Sequence, residues 1–152
     1  MKWTLLMIAG LFMASCTTGS VLKQHADAPM NKLALGFSED ELLSKRPNAQ
    51  LQDDGMEFRR VYLEMVDDED IQGFVYYVDA ELSLFYELIV IYKDEATREA
   101  AVNRLLGEVG FDGEEWTFEQ KGDATTVRCW TFKEKIVYAA CIPGTEWEDE
   151  CK

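Results

Sequence analysis

Residues 82–92, LSLFYELIVIY, are apolar at nearly every position, so a strand built from them has no face that belongs in water. Such a strand sits in the middle of a sheet, and the neighbouring sequence supplies its partners. Residues 57–66 (EFRRVYLEMV) set Val61, Leu63 and Met65 against Arg60, Tyr62 and Glu64, the period of two expected of a half-buried strand. The acidic run Asp67–Asp70 separates it from a second strand at 72–79 (QGFVYYVD). Three more strands read at 114–119, 125–132 and 136–142, with Lys121-Gly122-Asp123 and Lys133-Glu134-Lys135 as turns.

Two helices punctuate these strands. In GFSEDELLSKRP, residues 36–47, Ser38 and Glu41 have the spacing of a capping box, and Phe37 and Leu42 that of a hydrophobic staple. Glu39, Asp40 and Glu41 complement the positive end of the helix dipole, Lys45 and Arg46 the negative end, and Pro47 stops the helix. A longer helix follows from Asp94, its cap, with Ala101, Val102, Leu105, Leu106 and Val109 recurring at three- and four-residue spacing and Gly110 as its left-handed close. The expected fold is α+β: an antiparallel sheet with two helices packed on one face, arranged as two αβββ units in tandem. No residue-level identity aligns the two units.

The first 32 residues have a different character. Lys2 is followed by twelve apolar-leaning residues (WTLLMIAGLFMA), too few for the roughly 20 that cross a bilayer but suited to a secretory signal. Met13-Ala14-Ser15-Cys16 resembles the lipobox of a bacterial lipoprotein signal, with methionine in place of the more usual leucine. The resemblance implies a diacylglycerol on Cys16, cleavage before it, and an envelope location. Thr17, in place of aspartate, points to the outer membrane facing the periplasm. Residues 1–15 then form the signal peptide. Residues 16–32, polar and without sustained period, read as a flexible tether, 16 residues of which reach roughly 20–24 Å. The folded domain is expected over 33–152, and His25, the single histidine, is expected to be solvated in the tether.

The helix at 36–47 behind a lipobox, followed by a three-stranded meander, resembles the SmpA/OmlA family. That family is related in shape to the β-lactamase inhibitor protein, which doubles such a unit. Gly36, Ser38, Leu42, Leu43 and Pro47 carry the resemblance, while Lys45-Arg46 replaces the family's glycine before the proline. It implies a binding or envelope-assembly module without catalysis.

Fifteen basic and 29 acidic residues give a net charge of −14. A chain beginning at Cys16 loses the single charge of Lys2 and carries −15. That balance repels nucleic acid and anionic headgroups. It suits a cationic partner, so an acidic inhibitor of a cationic hydrolase such as lysozyme stands beside the envelope-protein binder as a reading.

With Cys16 assigned to lipid, Cys129, Cys141 and Cys151 remain, and a periplasmic setting permits one internal disulfide. Cys129–Cys141 is favoured if the last hairpin sets them opposite each other. Otherwise Cys151 pins the tail back onto Cys141. A metal centre is not expected, since there is no CxxC and no nearby histidine, and no cofactor motif is present. Asp67–Asp70 lacks the ligand spacing of a calcium loop.

Trp130, Phe132 and Tyr138 are expected to share one strand face, as core or as an aromatic platform for a protein partner. Glu87 is expected to face solvent or to pair with Arg59, Arg60 or Arg128. Buried, it would have a raised pKa and the makings of an acid or base. The domain carries no catalytic motif, leaving carboxylate-based glycan hydrolysis as the one enzymatic reading.

Overall fold

The computed structural model describes residues 20–107, 115–120 and 125–152. The proposed signal peptide, Cys16, Gly110 and the Lys121-Gly122-Asp123 turn lie outside them.

The chain runs α1 (Val21–His25), a 3-10 turn (Met30–Lys32), α2 (Glu39–Lys45), β1 (Gln50–Gln52), β2 (Arg59–Met65), β3 (Ile71–Asp79), β4 (Phe85–Tyr92), α3 (Glu95–Leu105), β5 (Glu115–Gln120), β6 (Thr125–Phe132) and β7 (Lys135–Ala140). The seven strands form one antiparallel sheet in the order β1-β2-β3-β4-β7-β6-β5. The fold is thus α+β, and the apolar run at 85–92 is its central strand, between β3 and β7. The short edge strand β1 was not legible in the sequence; it pairs Gln50–Gln52 with Val61–Leu63.

Helix boundaries follow their local chemistry. Ser38 Oγ accepts the Glu41 amide at 3.2 Å and Glu41 Oε2 accepts the Ser38 amide at 3.0 Å, completing the capping box. Asp94 accepts the Thr97 amide at 2.7 Å at the start of α3. α3 ends at Leu105, and Gly107, with φ of +72°, takes a left-handed conformation just beyond it.

Strand alternation divides the sheet into two faces. Tyr62, Phe74, Tyr76, Val78, Phe85, Leu88, Val90, Tyr92, Cys129, Ile136 and Tyr138 point to one side, into a buried cluster that also holds Leu42, Ala101 and Val102. Two arginine clasps hold α2 against β2. Arg60 on the strand grips Glu39 on the helix at 2.7 and 2.6 Å, and Arg46 at the helix end grips Glu64 on the strand at 2.9 and 2.7 Å. Each carboxylate also accepts a tyrosine hydroxyl, Tyr62 on Glu39 at 2.5 Å and Tyr76 on Glu64 at 2.6 Å. Fork-to-carboxylate geometry of this kind fixes orientation as well as adding attraction.

The expected tether is corrected over residues 20–32. Val21, Leu22, Ala26 and Met30 are buried in the same cluster, because the short α1 and the 3-10 turn present them as one apolar side. His25 is half-buried, not solvated. Its ring stacks on Phe118 with centroids 3.9 Å apart, its Nδ1 donates to Leu105 O at 3.0 Å, and its own carbonyl accepts the Tyr138 hydroxyl at 2.6 Å. The packed domain therefore includes Ser20, whose hydroxyl donates to Leu33 O at 3.0 Å.

Candidate functional site

The second face of the sheet carries Leu63 and Met65 from β2, Val75 and Tyr77 from β3, Ile89 and Ile91 from β4, Val137 and Ala139 from β7, and Arg128, Trp130 and Phe132 from β6. The register makes them one continuous surface: Leu63 opposes Val75, Val75 opposes Ile89, Ile89 opposes Val137, and Val137 opposes Trp130. Met65 is 64% exposed and Phe132 58% exposed, while Leu63, Val75, Ile89, Ile91 and Trp130 are half-buried. Among the described residues only the C-terminal segment crosses this face. Val137 and Ala139, in the middle of the band, are buried, so its exposed apolar surface is concentrated at Met65 and Phe132.

Two aromatic residues expected together are there, and the third is not. Trp130 and Phe132 share the second face, but Tyr138 is fully buried on the core face. The cause is the two-residue turn Lys133-Glu134, which sets Phe132 opposite Lys135 and Trp130 opposite Val137. Side chains alternate, so Tyr138 falls opposite Cys129 on the other side.

The same register overturns the favoured disulfide. Cys129, opposite Tyr138, is a buried free thiol whose ionisation burial pushes well up. The bridge is Cys141–Cys151, with Cα atoms 6.0 Å apart, a normal span for a disulfide. It ties the C-terminal segment across one end of the second face as a strap.

The strap meets the sheet through side chains. Trp147 packs against Trp130 with ring centroids 5.2 Å apart, and its Nε1 donates to Glu87 Oε2 at 2.7 Å. Glu146 accepts the Tyr86 hydroxyl at 2.8 Å and pairs with Arg59 at 3.2 Å. Arg128 is held between Glu115 and Glu150. Beside these groups, an open groove of about 410 Å³ is lined by Glu115, Arg128, Trp130, Thr131, Trp147 and Glu150.

Glu87 and Tyr86 both reach the strap because β4 carries an extra residue. Tyr77 pairs with Glu87 and Val78 with Phe85, so Tyr86 has no partner on β3 and the strand bulges there. Phe85 and Leu88 stay in the core while Tyr86 and Glu87 serve the other face. At the opposite end of the hairpin Gln72 is the extra residue, on β3. Gly73 follows it, where a side-chain Cβ would lie 2.6 Å from Glu64 O.

Glu87 neither faces solvent nor pairs with an arginine as expected; it is 4% exposed, with Trp147 as its hydrogen-bond partner. Burial pushes its carboxyl up to about 7 and the Glu146 carboxylate adds to the rise, against the pull of the Trp147 bond and of Arg59. A carboxyl of that kind can give or take a proton near neutrality, but the strap roofs it. Trp147 and Glu146 were not singled out from the sequence. The available signal was a tryptophan inside an acidic tail that ends in a cysteine.

The Asp67–Asp70 turn is organised by its own backbone, with Asp68 accepting the amides of Asp70 and Ile71 at 2.9 Å each. Asp70 pairs with Lys93 at 3.0 Å. No group of three or more potential metal ligands occurs among the described residues, and no described helix is long and apolar enough to cross a membrane. Compared with protein-family models, curated proteins and solved structures, the chain matches none.

Proposed function

We propose that this chain is a lipid-anchored, non-enzymatic module of a bacterial cell envelope that binds another envelope protein through the open face of its sheet. Cys16 carries the lipid and faces the molecule to the periplasm from the outer membrane. The observation that carries the binding reading is the apolar band from Met65 to Phe132, exposed at those two residues and half-buried at Leu63, Val75, Ile89, Ile91 and Trp130. Trp130, half-buried beside the strap, is the kind of aromatic anchor that concentrates binding energy at protein interfaces.

The architecture fits the same reading. α2 precedes β2–β4 and α3 precedes β5–β7, and the sheet joins the two sets through the last strand of each. We read this as two αβββ units with both helices on the core face, the doubled plan of the β-lactamase inhibitor protein. Leu42 of α2 and Val102 of α3 in one cluster support it. A plan that stacks its helices on one face leaves the other for a partner. The roof of Trp147 over Glu87 favours binding over carboxylate catalysis.

Mass spectrometry of protein extracted from membranes tests the anchor: the expected mature N-terminus is a diacylglyceryl-Cys16. An unmodified N-terminus at any other residue overturns it. Pull-down from membranes in mild detergent tests the face. Phe132→Glu is expected to lose the bound protein while the circular dichroism spectrum stays unchanged, and retention of the partner overturns this binding mode.

A further inference from the structure

Resting on that reading, we infer that the open face takes a cationic protein surface, an apolar strip flanked by lysine and arginine side chains. The inference comes from how this molecule has used its own positive charge. All six arginines are engaged by carboxylates: Arg46 by Glu64, Arg59 by Asp54 and Glu146, Arg60 by Glu39, Arg98 by Glu95 and Glu99, Arg104 by Asp27, and Arg128 by Glu115 and Glu150. None offers a free guanidinium to a partner's acid, and the surplus of the chain is all carboxylate.

Much of that surplus lies along the margins of the open face. At one end the strap adds Glu148 beside Glu146, Asp149 and Glu150, which are already paired with Arg59, Lys152 and Arg128. At the other, the Asp67–Asp70 turn directly follows Met65. The cations on this face that arginine does not supply sit at Phe132. Lys133 lies 5.4 Å and Lys135 5.8 Å from the Phe132 ring centre, and Lys135 is also bound to Glu134 at 2.5 Å. A partner with an acidic rim would meet repulsion at both ends. A basic rim is drawn in by the long-range field and gains ion pairs at contact. A second copy of the chain is a poor occupant for the same reason, since pairing two such faces sets acidic margins against a molecule of net charge −14.

Site-specific photo-crosslinking of the full-length protein in native membranes tests this. A benzoylphenylalanine introduced at position 132 is expected to give an adduct with a protein whose crosslinked surface is rich in lysine and arginine. The same group at Leu82, outside the face, should give none. Raising sodium chloride from about 50 to about 500 mM before irradiation should lower the yield at least roughly fivefold, because ions screen charges over a few ångströms at the higher salt. The exposed pair Asp67→Lys/Glu69→Lys should lower the yield by a similar factor at low salt. An adduct that ignores both salt and charge reversal, or that joins an acidic or uncharged surface, overturns the inference and leaves the protein-binding reading standing. No protein adduct at position 132 overturns both.

Discussion

On the core face of the sheet, Tyr76, Phe85, Leu88 and Tyr138 are sealed in a cluster that also contains Leu22, Leu42 and Val102. On the other face the same strands present Ile89, Ile91, Trp130 and Phe132, and there the described chain supplies only a strap tied by Cys141–Cys151. The polar groups differ in the same sense. Carboxylates of the core side, Glu39 and Glu64, are each gripped by an arginine fork and a tyrosine hydroxyl. Arg60 foremost, with Tyr62 assisting, holds Glu39 below the usual carboxylate range against the opposing effect of burial. Glu87, on the strap side, has one indole N–H and a raised pKa. The core face is built for permanence, while the second is covered only in part, by a piece held by one disulfide and a few side-chain contacts.

Substitutions on each face sharpen or break that contrast. Phe85→Ala on the core face should lower unfolding free energy by about 3–5 kcal/mol in urea titration, from lost burial and the cavity left behind. A loss below about 1 kcal/mol would mean that the core face is not the stabilising one.

Glu87→Gln should act in the opposite direction. Its folded pKa lies above the ordinary value, so the folded chain holds that proton more tightly than the unfolded chain does. The stability from this group is full below the unfolded pKa and is lost as pH rises through about 7. The variant should therefore gain up to about 3 kcal/mol at pH 8 relative to wild type, with a flatter stability profile between pH 4 and about 8. An unchanged profile would show that Glu87 is not sealed under the strap.

Cys151→Ser removes the strap's covalent tie, with an upper expectation of about 2–3 kcal/mol from loop closure over a short span. Because the strap meets the sheet through side chains, the loss should be read locally, as a red shift of tryptophan emission with the main urea midpoint little moved. A large fall in the midpoint would make the strap part of the core. Phe132→Ser, the smallest effect, should change stability by less than about 0.5 kcal/mol, the ordinary range of a surface substitution.

How far the sequence reaches depends on whether a feature is local. The capping box at Ser38 and Glu41 and the strand at Arg59–Met65 are each signalled within a few residues and stand where they were expected, although the strand turns Tyr62 and Glu64, rather than Leu63 and Met65, to the core. Residues 20–32 fail that test. Five residues of α1 bury only Val21 and Leu22, and what organises them is contact with strands about a hundred residues away, through His25 and Tyr138. The expected face of Tyr138 and the favoured Cys129–Cys141 pairing failed for one shared reason, the parity of a two-residue turn. That is a matter of one residue more or fewer, which composition and periodicity leave open. The strap was legible only as the second of two cysteine pairings, and its contacts with Glu87 and Tyr86 required the bulge in β4.

The bulge bears on how such a chain can vary. Deleting Tyr86 would leave Phe85 pointing inward, Glu87 outward and Leu88 inward, the plain alternation of an unbulged strand. The deletion moves no core residue across the sheet, and the β7 pairing, which begins at Glu87, keeps its partners. Losing this position would remove a fully buried side chain and the hydroxyl that Glu146 accepts while leaving both faces of the strand in place. A one-residue length difference at this point in related chains would separate those with the Tyr86–Glu146 tie from those whose C-terminal segment rests on the disulfide and the contacts of Trp147, Glu146 and Glu150 alone.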